Sequence, residues 1–268
     1  PPVRGAEIAS VCRQSADVGG DFHDWLELPG NRMCLAIGDV SGKGLPAALL
    51  MCAVMAGFRN EAAKGGSPGE VLARLNRHVH RMTRGESFVT MAVAVLETEG
   101  PEAGTVTVAS AGHLDPIHVQ NGHAEEWAFS SLPLGITPDA AYRESARRLE
   151  KDDVLVFLTD GIVECRDDSG NLNGFDWILR QLSQPVPSAW PLVSRINGIM
   201  DELDGGYAQE DDRTMLALRW YGDGAARRSF HLSGEYGAEM PILRETGAWL
   251  RETLPGWPRL DDLLTVLS

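Results

Sequence analysis

The sequence predicts an α+β layered domain, and three observations point that way. Helix-length apolar patterns stand in blocks, at residues 45–58 and 68–82 and again at 175–182 and 192–203. Between those blocks, residues 87–149 have the texture of strands and turns. The run Val154-Leu155-Val156-Phe157-Leu158 has no polar alternation, as in a strand covered on both faces. Strands and helices kept in separate blocks favour mixed layers over a doubly wound parallel sheet.

The elements follow in order. Apolar runs at residues 6–12 and 33–37 read as strands, the second leading into Gly38-Asp39-Val40. The helix expected over 45–58 is apolar on nearly every face, so it is expected to be buried between layers. Ser67-Pro68-Gly69-Glu70 has a capping-box pattern with Pro at the first helical position. Val71, Leu75, Val79 and Met82 then fall on one helical stripe. Phe88 to Val95 is rich in β-branched residues and Thr105 to Val108 alternates, with turns marked at Gly100-Pro101, Gly112 and Asn121-Gly122. Leu192, Ile196, Ile199 and Leu203 share a helical face, and residues 213–221 supply a last strand. Gly222 to Ala226 reads as a linker. Beyond it come a short strand at 229–232, a helix carrying Met240, Leu243, Gly247, Leu250 and Leu254, and a further helix from about Leu260.

The chain has 268 residues, 43% of them apolar, with 24 basic and 38 acidic side chains and a formal net charge of −14. Such a surface repels phosphate backbones and anionic lipids, which argues against nucleic acid and membrane partners. No run approaches the roughly 18 apolar residues of a membrane span. Cys12, Cys34, Cys52 and Cys165 form no CxxC pair, and three of them sit in apolar runs as small hydrophobes. A reducing, cytoplasmic setting is expected. The chain opens on Pro1-Pro2, and a missing N-terminal neighbour is expected.

Four acidic positions stand at the ends of very apolar strands or in glycine-rich turns. They are Gly19-Gly20-Asp21, Gly38-Asp39-Val40-Ser41-Gly42-Lys43-Gly44, Thr159-Asp160-Gly161 and Asp211-Asp212-Arg213-Thr214. Each alone is an ordinary turn former or helix cap. Together they demand more, because a carboxylate at the end of a buried strand must be paired, hydrogen-bonded or bound to a metal. Oxygen ligands without matching His or Cys favour Mg²⁺ or Mn²⁺ over zinc. The adjoining glycines let the backbone approach an ion closely.

Val18-Gly19-Gly20-Asp21-Phe22, the Gly38 to Gly44 motif, Ala111-Gly112-His113, Leu134-Gly135, Thr159-Asp160-Gly161-Ile162-Val163-Glu164 and Asp211-Asp212-Arg213-Thr214 resemble, in order, the bacterial PPM-type (PP2C-like) serine phosphatases. The similarity is to the sporulation stage II E and sigma-B regulator branch, over roughly residues 3–221. The resemblance implies a β-sandwich of two antiparallel sheets flanked by helices, in α-β-β-α layers, with two Mn²⁺ or Mg²⁺ ions at one end. Carried over by motif, Asp39 bridges the ions and the Val40 carbonyl joins the first. Asp21 acts on that first ion mostly through water, while Asp160 and Asp211 hold the second and Asp212 supports them. These four aspartates are the catalytic set. The implied reaction is attack by a metal-activated water on a phosphoserine or phosphothreonine phosphorus, without a phospho-enzyme.

The implied substrate is a phosphorylated STAS-type anti-sigma-factor antagonist, and the implied neighbour is an upstream sensor domain. A homodimer stays open. Residues 1–221 are expected to form the phosphatase domain, 222–227 a linker, and 228–268 the truncated start of a GHKL ATPase-like domain, which lacks the parts needed to bind ATP. The segment 45–58 leads out of the Asp39 motif and is expected to move with the sensor. Two other readings stand beside the enzyme: a non-catalytic or autoinhibited docking module of the same fold, and a small-molecule phosphohydrolase. His113 is a candidate general acid but reads more readily as a structural hydrogen-bonder. His23 and Leu114-Asp115 depart from the common pattern at positions that are not ligands. Gly38 to Lys43 fails the P-loop spacing, and His78 and His80, two apart on a helix, cannot chelate together. Trp190, Trp249 and Trp257 read as packing residues. Ser41 lacks a His–Asp pattern to activate it.

Overall fold

The structure is a computed structural model that describes residues 4–222, apart from 17, 130, 166–173, 186–187, 205–208 and 210, together with 230–233. In chain order the elements are β1 (Ala6–Arg13), β2 (Phe22–Leu28), β3 (Arg32–Val40), α1 (Leu45–Ala63), α2 (Pro68–Thr83), β4 (Val89–Glu97), β5 (Thr105–Ala111), β6 (Ile117–Gln120), β7 (His123–Glu126), β8 (Glu144–Arg148), β9 (Val154–Leu158), α3 (Asp160–Val163), α4 (Gly174–Leu182), α5 (Ala189–Asp204), β10 (Arg213–Trp220) and β11 (Phe230–Ser233).

The strands form two sheets, one ordered β2-β3-β4-β5-β8 and the other β11-β1-β10-β9-β6-β7. Every pairing is antiparallel except that of β11 with β1, which is parallel. The strand expected at 229–232 is thus present as β11, on the edge of a sheet built from the first 221 residues. The linker residues 223–227 and the helices expected beyond 233 lie outside the described residues.

Side-chain alternation builds the layers. Along β3, Met33, Leu35 and Ile37 enter the core between the sheets, where they meet Leu155, Phe157, Leu216 and Leu218. Cys34, Ala36 and Val40 point the other way, into a second core with Val54, Phe58, Leu72 and Leu75 of α1 and α2. A third core lies under α3, α4 and α5, where Ile162, Ile178, Leu192 and Ile196 cover Val154, Val156 and Leu158. Alternating β9 residues therefore enter two different cores, which explains its unbroken apolar run. The layers are α-β-β-α, as expected.

α2 starts with the capping box of Ser67 and Glu70. Two helical expectations need correction. α1 is not buried between layers: Ala47, Val54, Phe58 and Ala62 face the sheet, while Leu45, Leu49 and Cys52 are exposed on the opposite side. Met82 ends the α2 stripe in solvent, 51% exposed, because the chain turns away at Arg84 in the left-handed region. At the far end of the α1–α2 hairpin, buried Glu61 pairs with Lys64 and Arg74 and accepts a hydrogen bond from His78 when its Nε2 is protonated. Arg59 of α1 forms a two-point pair with buried Asp24 of β2 at 2.6 Å each.

Candidate metal centre

The acidic motifs converge at one end of the sandwich. β3 delivers Asp39 and Val40 at its C-terminal end, and Asp21 immediately precedes β2. β9 runs into Thr159 and then Asp160, the first residue of α3; Asp211 and Asp212 precede β10. Each sheet thus brings two of the four expected aspartates to the same edge.

Glycines make the approach possible. A Cβ on Gly20 would stand 2.8 Å from the Val40 carbonyl oxygen and 3.0 Å from Asp39 Oδ1. The Asp39–Val40 pair therefore faces a main chain with no side chain in the way. A Cβ on Gly19 would lie 1.9 Å from Asp212 Oδ2, and one on Gly161 2.1 Å from the Asp212 carbonyl oxygen. The glycines of these two motifs are thus required by close approach and not by turn conformation alone.

The site is held by two long-range ties. The Thr159 hydroxyl donates to Asp21 Oδ2 at 2.7 Å and accepts the Thr214 N–H at 2.8 Å, fixing the carboxyl of one sheet to strands of the other. Asp212 Oδ2 accepts the Gly20 N–H at 2.8 Å, and its Oδ1 accepts the Ser15 N–H at 2.8 Å and the Ser15 hydroxyl at 3.0 Å. Asp212 is 7% exposed. Its carboxylate is taken up by Ser15 and Gly20, whereas that of Asp211 meets Lys43. The role of Thr159 has no sequence signature beyond its place in Thr-Asp-Gly, because both its partners come from distant segments.

Electrostatics show what the cluster lacks. Asp21 is 2% exposed, and burial pushes its carboxyl up to about 8, opposed by the Thr159 and Thr214 hydroxyls and reinforced by Asp39 and Asp212. Asp39 is pushed up to about 7 by burial and by the negative charges of Asp160, Asp211 and Asp212, against the Val40 main-chain hydrogen bond. Asp160 is raised as well, by burial first and then by Asp211, with Lys43 opposing. Lys43 Nζ lies 3.2 Å from Asp211 Oδ1. Carboxylates that are desolvated and mutually repelling are poised to exchange protons for cations. The donors are all oxygen, which suits Mg²⁺ or Mn²⁺. Among the described residues no three His, Cys, Asp or Glu close into a ready coordination group. The oxygen donors and the open face at Gly20 fit divalent cations in kind.

This is the architecture of the PP2C-like phosphatase domains. The family model for Stage II sporulation protein E (SpoIIE) matches residues 29–221, and the chain belongs to that family. It is 29% identical over 223 residues to the phosphoserine phosphatase RsbU of Bacillus subtilis, a match covering 82% of this chain and 64% of that protein. The phosphoserine phosphatase RsbP of the same organism is 23% identical over 160 residues, 59% of this chain and 40% of RsbP. The chain thus spans less than two thirds of these relatives. Among solved structures, the RsbU and RsbW domains of Rv1364c from Mycobacterium tuberculosis are 26% identical with a TM-score of 0.68, covering 94% of this chain and 70% of that one. The SpoIIE phosphatase domain with a fragment of its regulatory domain, from Bacillus subtilis, is similar in fold, with a TM-score of 0.71 at 17% identity over 82% of this chain and 64% of that one. Among the described residues no helix is long and apolar enough to cross a membrane.

Proposed function

We propose that this chain is a metal-dependent protein serine/threonine phosphatase, and the observation that carries the reading is the meeting of Asp21, Asp39, Asp160 and Asp211 from two sheets at one edge of the sandwich. Asp21, Asp39, Asp160 and Asp211, with the Val40 carbonyl, are the groups that would hold two Mn²⁺ or Mg²⁺ ions. Such ions supply charge neutralisation for the phosphate and an activated water at neutral pH. The protein's part is to hold oxygen donors in a fixed cradle. Thr159 orients Asp21, Asp212 fixes the Gly19-Gly20 backbone beside Asp39, and Lys43 holds Asp211 at the rim. Family membership and the likeness to RsbU and RsbP support the activity. A structure of RsbX in complex with magnesium, 18% identical and similar in fold, is in keeping with the ion class.

The proposed substrate is a phosphoserine STAS-type regulator of a sigma-factor pathway, by analogy with RsbU. The four free cysteines suit a reducing cytoplasm. Residues 228–268 are proposed to begin a GHKL-like domain after a linker at 222–227, with β11 of that segment laid against β1 of the phosphatase sheet. The RsbW domain that accompanies RsbU in the Mycobacterium tuberculosis structure supports this. An upstream sensor is proposed from the family resemblance alone; the chain matches 64% of the length of RsbU. The test is phosphate release from a phosphoserine STAS protein with Mn²⁺, comparing the parent with Asp39→Asn and Asp160→Asn. Turnover in the parent that vanishes in both variants is expected. A folded, metal-loaded parent without turnover would turn the reading to a docking module.

A further inference from the structure

Lys43 stands in the short loop between β3, which delivers Asp39 and Val40, and α1. Its Nζ lies 3.2 Å from Asp211 Oδ1, and that oxygen also accepts the Asp212 N–H at 2.9 Å. The main chain thus aims Oδ1, and the ammonium takes up a lone pair that the main chain leaves. Both side chains reach water, with 66% of Lys43 and 44% of Asp211 exposed. The loop holds the lysine on a pivot. Ser41 is fixed to Phe88, donating its N–H to the Phe88 carbonyl at 3.0 Å and accepting the Phe88 N–H on its hydroxyl at 2.9 Å. Gly42 and Gly44, on either side of Lys43, have φ of 98° and 75°, with no atom within 4 Å of a Cβ built on either. Gly44 is the N-cap of α1, whose first turn carries no acidic side chain, so the helix end beside Lys43 repels a cation. The acidic cluster attracts it instead.

We infer that Lys43 is an exchangeable cation of the metal centre: in the metal-free protein its ammonium occupies Asp211, and the ion that Asp211 would hold must displace it to bind. The inference rests on the metal-centre reading above, and the hold of Lys43 on Asp211 is that of the metal-free state. The lysine is a partial substitute for an ion. Its charge opposes the rise of Asp160, yet Asp160 and Asp39 remain raised. A divalent cation brings more charge to the same oxygens, and an ammonium beside it is repelled. The displaced side chain needs no prepared place, because it is already largely in water and turns on two glycines. The consequence is that the two ions are not equivalent. The one that meets Asp211 is held more weakly than its ligands alone would allow, and the site fills in two steps.

Substitution separates charge from shape. Lys43→Gln removes the charge, Lys43→Glu reverses it and Lys43→Arg keeps it. Mn²⁺ binding is measured by titration calorimetry on the full chain. Exposed ion pairs are worth little, so Lys43→Gln is expected to tighten the weaker ion about two- to fivefold and to leave the stronger ion unchanged. Lys43→Glu, which puts an attractive charge where a repelling one stood, is expected to tighten the weaker ion about tenfold or more. Lys43→Arg should bind as the parent does. A parent that takes up one ion where Lys43→Gln takes up two would be the strongest form of the expected result. Acylation of the Lys43 amine, read by mass spectrometry, should also rise when Mg²⁺ is added to the parent. Two ions bound by the parent with constants that Lys43→Gln and Lys43→Glu leave unchanged would overturn the inference and spare the metal-centre reading. Weaker Mn²⁺ binding in Lys43→Gln would overturn it too, since the lysine would then orient Asp211 for the ion and not compete with it. A parent that binds no Mn²⁺ fails the metal-centre reading itself, and this inference with it.

Discussion

Asp211 and Asp212 are adjacent and chemically identical, yet the same substitution is expected to cost far more stability at one than at the other. All the groups that the Asp212 carboxylate meets are donors: the N–H and hydroxyl of Ser15 on Oδ1, and on Oδ2 the N–H of Gly20 with the Asp21 N–H at the longer distance of 3.5 Å. An asparagine has one acceptor oxygen, so its amide nitrogen must confront a donor whichever way it turns. The less costly orientation keeps the bond to buried Gly20 and turns the amide toward Ser15, which water reaches. One charge-assisted bond is then lost and another weakened, worth about 3 kcal/mol. Removing a negative charge beside Asp21 and Asp39 returns part of this, so Asp212→Asn is expected to cost about 2 kcal/mol, or about 4–8 °C in melting temperature. Asp212→Ala strands the Gly20 N–H as well and is expected to cost about 4 kcal/mol. Asp211, by contrast, is 44% exposed in its side chain and meets Lys43 and the Asp212 N–H. Asp211→Asn is expected to cost under about 1 kcal/mol. The assay is guanidinium unfolding in EDTA, which removes any contribution from bound metal. Equal stabilities, or a larger loss for Asp211→Asn, would refute this division of labour.

Stability against pH offers a second check. Asp21 and Asp39 are raised to about 8 and about 7 from an unfolded value near 3.8. The native state therefore holds protons that the unfolded chain releases, and metal-free stability is expected to fall as pH rises from about 4 to 8. Saturating Mn²⁺ should reverse the trend over the same window, because cations replace those protons; parallel curves with and without metal would count against it. Gly161→Ala forces a Cβ against the Asp212 carbonyl of a neighbouring segment and is expected to abolish soluble folding or cost several kcal/mol. Gly198→Ala, in α5 with open space around it, should stabilise by about 0.5–1 kcal/mol. Thermal melts of the two variants distinguish these outcomes.

The sequence carried the site further than the details of the fold. That Asp21, Asp39, Asp160 and Asp211 are candidates for one site was legible because three of them stand beside glycines or end an apolar run, a local pattern, and the structure brings all four motifs to one edge. The work of Thr159 and Asp212 was not, since it consists of bonds to residues 138 and 192 positions away. β8 reads Glu-Ser-Ala-Arg-Arg, with no apolar alternation, and exists as a strand through its pairing with β5. β2 was missed for a related reason, because charged Asp24 and Glu27 interrupt its pattern and Asp24 is buried by pairing with Arg59 of α1. The apolar texture of α1 overstated its burial: composition shows that Leu45 and Leu49 are apolar, but not which face another layer covers.

The most direct test of the central claim is crystallographic: crystals of this chain soaked in Mn²⁺, with anomalous differences collected at the manganese edge. Two peaks flanking the Asp39 carboxylate are expected, one beside the Val40 carbonyl and Gly20, the other between Asp160 and Asp211. Ordered carboxylates at full occupancy with no anomalous peak at Asp39 would contradict the two-metal centre.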